Sequence, residues 1–153
     1  MFKNIFLCFI LVSFFIACSS AQQKPEDNVK NSLVKFLNSV PSDDEESLYA
    51  AGVGTADKDT INETQRLGLS REAAIADAYR KLTEKIKAVK VRGGITVEQK
   101  IAKNDLTQTQ VEGVIKNAII EKEQFMDDGG CAVILKLNRK NIDSTLGSEE
   151  KKE

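Results

Sequence analysis

The chain has 153 residues, with 22 Lys plus Arg against 23 Asp plus Glu and a formal net charge of −1. That length suits one domain with a core of its own, and the balanced charge gives no reason to expect nucleic acid as a partner. The absence of histidine removes the commonest general base, proton shuttle and transition-metal ligand together. Of three cysteines, Cys8 and Cys18 fall in or at the end of an apolar leader. Cys131 is then alone in the remainder, which can hold no internal disulfide.

Residues 1–17 read as a lipoprotein signal peptide. Lys3 is the charged start, and the apolar run from Ile5 to Ile16, about twelve residues, is shorter than the roughly twenty a membrane span needs. The run ends Phe15-Ile16-Ala17-Cys18, which resembles the lipobox of bacterial lipoproteins. There a small residue precedes a cysteine that is diacylated, cut free and often acylated again on its new amine. Cys18 is therefore the expected lipidation site, with Phe15 standing where leucine is usual. The other reading is an ordinary secretory signal with an incidental cysteine. Each buried methylene contributes about 0.8 kcal/mol, so a multiply acylated cysteine holds on a bilayer where one chain would be marginal. In many Gram-negative lipoproteins an aspartate after the cysteine signals inner-membrane retention. Ser19 stands there instead, so the resemblance implies the outer membrane, at its periplasmic face or at the cell surface.

Residues 18–47 read as a lipid-anchored tether that includes a short amphipathic helix. Residues 19–27 hold too little apolar surface to fold alone. Val29, Leu33, Val34, Phe36, Leu37 and Val40 then recur at helical spacing between a cap at Asp27 or Asn28 and the closing Pro41. Packing against the domain is the favoured role, because Lys30 and Lys35 are too few cations for a membrane-surface helix. PSDDEES, 41 to 47, is an acidic linker.

The folded domain is expected over 48–140, followed by a polar tail, 141–153, that frays. LYAAGVG, 48 to 54, fits a buried strand whose Gly52 and Gly54 remove side chains where a helix crosses. A phosphate loop is disfavoured, since Asp57 stands where the third glycine of a dinucleotide fingerprint belongs. Asp57, Asp59, Asn62 and Glu63 lack the spacing and glycine of an EF-hand and read as a solvated loop. From Ser70, the expected N-cap, to Lys87 an amphipathic helix carries Ala74, Ile75, Ala78, Tyr79, Leu82 and Ile86 on one face. Its alanines suit close approach to a sheet.

Val89 to Ile101 alternates with a period of two, which predicts one long strand bent at Gly93-Gly94; a turn at the two glycines would split it instead. A looser helix is expected over 105–118 behind Asp105, with Leu106, Val111, Val114 and Ile115 inward and Gly113 weakening it. Ile119–Met126 and Cys131–Leu137 then read as a hairpin joined by Asp127-Asp128-Gly129-Gly130. Cys131, Val133, Leu135 and Leu137 share its core face, where Cys131 serves as a small buried apolar residue and not a reactive thiol. The fold class is thus α+β in two layers: a small, mostly antiparallel sheet of about four strands, β-α-β-(α)-β-β, with one long amphipathic helix on one face.

Assembled in this order, the chain resembles the Lpp-twenty lipoprotein family. The match is carried by LYAAGVG (48 to 54), AAIADAYRKLTEKI (73 to 86) and the hairpin from Ile119 through DDGG to AVILKL (132 to 137). A related domain is the N-terminal one of flagellar assembly protein T. The resemblance implies an outer-membrane or surface lipoprotein of two-layer α/β kind, without catalysis or cofactor. The chain departs from the family pattern at the hairpin, where the flanking aromatics reduce to Phe125, with none in Cys131–Leu137.

Three functions are weighed. The first is a non-enzymatic envelope lipoprotein, attached to the membrane through acylated Cys18, whose domain binds an envelope protein or a second copy along exposed sheet edges. The second is a flagellar accessory lipoprotein near the motor's outer rings, which rests on fold analogy alone. The third is a small-ligand-binding or enzymatic domain. For it the sequence offers no catalytic residue, cofactor motif, metal-ligand spacing or identified small-molecule substrate, and acids such as Glu98 and Glu121 would need a deep polar pocket.

Overall fold

A computed structural model describes residues 25–57, 59, 62–91 and 93–146. In chain order the elements are α1 (Pro25–Leu37), β1 (Ser47–Gly54), α2 (Glu63–Ala88), α3 (Val97–Ala102), α4 (Gln108–Ile115), β2 (Ile119–Phe125), β3 (Cys131–Asn138) and α5 (Arg139–Leu146). The strands pair antiparallel in the order β1-β3-β2. The fold is therefore α+β, with a three-stranded sheet and five helices among the described residues.

β1 and β3 pair from Ser47 opposite Asn138 to Gly54 opposite Cys131. Because side chains alternate between faces, Leu48, Ala50, Gly52 and Gly54 share one face with Cys131, Val133, Leu135 and Leu137. α2 crosses that face, burying Ser70, Ala74, Ala78, Leu82 and Ile86, one residue per turn. The helix lies close because nothing projects from the two glycines. A Cβ on Gly52 would overlap the Ala74 carbonyl and the Ala78 amide, and one on Gly54 would overlap the Ser70 carbonyl and the Ala74 amide. The role expected of these glycines and of the alanine stripe holds.

α2 starts at Glu63, not behind Ser70. Asn62 is the cap, its side chain accepting from the Thr64 amide at 2.9 Å, while Ser70 sits inside the helix with Oγ donating to the Leu67 carbonyl. Glu63, Thr64 and Gln65 are exposed, so the first turn carries no apolar stripe.

The long strand over Val89–Ile101 does not form. Gly93 and Gly94 take φ of 91° and 75°, and the chain turns back there through Val91 N–H to Ile95 O and Val97 N–H to Val89 O, each 3.0 Å. Only the single bridge between Lys90 and Thr96 is strand-like. Thr96 then caps α3 in a reciprocal pair with Gln99: Oγ1 accepts from the Gln99 amide, and Oε1 accepts from the Thr96 amide. The sheet consequently has three strands where about four were expected. α4 is likewise opened by a Thr107–Gln110 capping box and not by Asp105, and it is shorter than 105–118. Leu106, Val111, Val114 and Ile115 are buried, as expected.

The segment from Arg139, expected to fray beyond 140, is helical. Ile142 and Leu146 are fully buried in the cluster that holds Leu48, Leu82, Ile86 and Leu137, each contributing about 1.5–3 kcal/mol. Lys100 Nζ donates to the Leu146 carbonyl at 3.1 Å, a cation on a helix-terminal acceptor.

α1 covers the opposite sheet face, so the sheet has helical cover on both sides instead of the two layers expected. Phe36 packs there with Tyr49, Met126, Ala132 and Ile134. The helix begins at Pro25, ahead of the expected Asn28, with Glu26 and Asp27 in its first turn and Lys35 in its last, all favoured by the dipole. Val34 and Leu37 remain exposed.

Candidate functional site

The two outer strands of the sheet end differently. In an antiparallel edge strand, alternate residues turn their N–H and C=O outward. On β1 these are Tyr49, Ala51 and Val53, and side chains bond four of their groups. Asp43 Oδ1 accepts from the Tyr49 amide at 2.8 Å, and Asp77 Oδ2 from the Val53 amide at 3.2 Å. Lys85 Nζ donates to the Tyr49 carbonyl at 2.7 Å, and Lys81 Nζ to the Ala51 carbonyl at 3.0 Å. Ion pairs join these side chains as well, Lys85 to Asp43 at 2.8 Å and Lys81 to Asp77 at 2.7 Å.

The seal is electrostatically tuned. Burial works to raise Asp77, but hydrogen bonds from Lys81, Arg80 and the Val53 amide outweigh it and hold the carboxyl below the ordinary carboxylate range. Burial likewise works to raise Asp43, and the Lys85 and Tyr49 hydrogen bonds with the charges of Lys85 and Arg139 bring it down. Both acids stay ionised as acceptors for edge amides.

β2 has no such cover. Among the described residues no side chain bonds its backbone, and the alternation that pairs Lys122 and Gln124 with β3 turns Glu123 and Phe125 outward. Ile119, Ile120 and Phe125 are 59%, 40% and 43% exposed. A register shift between Ile120 and Lys122 bends the strand, and charged side chains moderate it. Glu123 pairs with Arg71 at 2.9 Å. Lys122 lies 5.1 Å over the Phe36 ring and donates to Ser39 Oγ at 2.8 Å.

Two clefts open at the ends of the sheet, the second of them sharing Asp43 with the β1 seal. One of about 530 Å³ opens at the hairpin end, between Glu26, Val29, Lys30 and Leu33 of α1, Thr55 and Ala56, and the Asp127–Gly130 turn. Arg66 packs against Gly129 there, and its Nε has no hydrogen-bond partner among the described residues. The other, about 550 Å³, lies at the opposite end among Asp43, Asp44, Glu45, Val89, Lys90, Arg139 and Asp143. Glu98 and Glu121 are exposed and line neither. Among the described residues no group of three or more histidine, cysteine or acidic side chains could hold a metal ion. Asn62 is a helix cap, and Asp57 Oδ1 accepts from the Asp59 amide.

Cys18 lies outside the described residues. Cys131 is fully buried and unpaired; burial and the Glu123 charge push its thiol up, against a smaller opposing effect of Arg71, so it makes a poor nucleophile. The residues that sequence reasoning missed are Asp77, Lys81 and Lys85. Their signal was present, a spacing of four along the border of the alanine stripe, but such charges also fit a solvated face. Comparison with known families found no matching family, and no curated protein matches the chain.

Proposed function

We propose that this chain is a non-enzymatic bacterial envelope lipoprotein of Lpp-twenty kind, held to the outer membrane by an acylated Cys18, and that its domain is a protein-interaction or assembly module. The observation that carries the interaction reading is the unequal finish of the two sheet edges. β1 has four of the six outward groups of Tyr49, Ala51 and Val53 bonded by side chains, whereas β2 offers bare backbone beside Ile119, Ile120 and Phe125. The anchor reading rests on Phe15-Ile16-Ala17-Cys18 and the polar tether behind it.

Intact mass tests the anchor. Membrane-extracted protein is expected to exceed the mass of residues 18–153 by several acyl chains, and Cys18→Ala to lose the excess; a freely dispersed, unacylated product contradicts it. For the module, the leaderless domain is expected to self-associate or to bind an envelope protein through β2, and Ile120→Lys to abolish this. A strictly monomeric domain without a partner contradicts that half.

A further inference from the structure

The open edge of β2 carries a charge pattern that separates the strands it can accept. Lys122, Gln124 and Met126 turn their backbone groups toward β3, the last with its N–H donating to Gly130 O at 2.8 Å, so Glu121, Glu123 and Phe125 turn theirs outward. An added strand bonds these residues, and its side chains stand directly opposite theirs. The Glu123 carboxylate is held in place, its oxygens accepting from Arg71 Nε at 2.9 and 3.1 Å. Glu121 is exposed and makes no ion pair among the described residues.

A second copy would join antiparallel about a twofold axis, and because only alternate residues face outward, its register changes in steps of two. The register that overlaps Glu121 to Phe125 in full sets Glu123 opposite Glu123 of the second copy. One step toward Ile119 sets Glu121 opposite Glu123 twice and Lys122 opposite Lys122. One step toward the hairpin leaves only Glu123 to Phe125 paired and brings Glu121 against Asp127. All three registers oppose like charges, which destabilises a strand pair and is a means by which edges avoid their own copies. We infer, on the proposed docking role of β2, that this edge rejects a second copy of the chain and accepts a strand of a different protein, one with Lys or Arg at the alternate positions opposite Glu121 and Glu123 and an apolar side chain opposite Phe125. Such a strand meets no like charge on the outward-turned residues, and it covers Phe125, which is 43% exposed. Lys122 does not disturb the match. It lies on the α1 side of the sheet, over the Phe36 ring and bonded to Ser39 Oγ, while Glu123 lies on the α2 side against Arg71.

The test uses the chain from residue 18 to 153 carrying Cys18→Ala, with two fluorescent peptides: the sequence of β2 itself, 119 to 125, and the same peptide with lysine in place of both glutamates. Sedimentation reads self-association, anisotropy reads peptide affinity, and amide exchange at Glu123 and Phe125 reads whether a peptide lies on the edge. The chain is expected to stay monomeric, and the lysine peptide to bind about tenfold more tightly than the β2 peptide while protecting both amides. Glu121→Lys, a change at an exposed side chain, should narrow that preference. A dimer in which the two amides are protected, or equal affinity for the two peptides on the edge, overturns the inference and leaves the docking edge standing. If no dimer forms and neither peptide protects the two amides, the docking role falls and the inference with it.

Discussion

The two edges of one small sheet show how a protein can close one strand and leave another available. β1 is largely closed without a further strand: Asp43, Asp77, Lys81 and Lys85 bond the outward amides of Tyr49 and Val53 and the outward carbonyls of Tyr49 and Ala51. Three of the four stand on α2, and they reach the edge because Gly52 and Gly54 let that helix lie against the strand. The same close approach that builds the core therefore builds the seal. On the β2 side α2 offers Arg71, which pairs with the Glu123 side chain and leaves the backbone bare. Under the proposed interaction role, strand addition is directed to the β2 side of the molecule.

Breaking the close approach should have the largest effect. Gly52→Leu drives a side chain into the α2 backbone, and we expect a loss of at least about 3 kcal/mol in urea unfolding. The seal itself is worth less. Asp77→Asn removes a charge that is paired with Lys81 and Arg80 and bonded to the Val53 amide, and about 1–2 kcal/mol should go with it. Its pH dependence has a definite sign. Asp77 and Asp43 are depressed in the folded protein, so their contribution is complete above the unfolded carboxylate value near ~3.9 and is lost as pH falls through the lower folded values. Wild-type stability should drop more steeply than that of Asp77→Asn in this acid window, read from urea midpoints against pH.

Gly68 sharpens the comparison from the other side. It lies in α2 with open space where a Cβ would stand, so Gly68→Ala should stabilise by about 0.5–1 kcal/mol where Gly52→Leu unfolds. The smallest stability effect belongs to the open edge. Phe125→Ser and Ile120→Lys change exposed side chains and should move stability by no more than about 0.5 kcal/mol while removing association, seen by sedimentation or by partner titration.

Features with a strict local period were legible in the sequence: the alanine stripe of α2, the glycines of β1, and the hairpin with Cys131, Val133, Leu135 and Leu137 inward. The failures have physical causes. Alternation over Val89–Ile101 came from a glycine turn followed by a Thr96–Gln99 cap, in which Val91 and Val97 are buried without a strand to hold them. α5 buries only Ile142 and Leu146 among polar neighbours, too sparse a stripe to announce a helix. The β1 seal links Asp77 to Val53 and Lys85 to Tyr49, contacts created by the helix crossing and invisible to any local window. The bare edge of β2 was foreseeable only as one exposed edge among others. Cys18 lies outside the described residues, and its acylation belongs to mass measurement.

The central claim is that one edge is sealed and the other open, and amide hydrogen exchange on the Ile120→Lys domain, in which association through β2 is removed, measures it residue by residue. The account predicts protected amides at Tyr49 and Val53, held by Asp43 and Asp77, and exchange close to that of surface loops at Glu123 and Phe125. Equal protection at all four would contradict it, because β2 would then be covered as fully as β1 and could not serve as the docking edge.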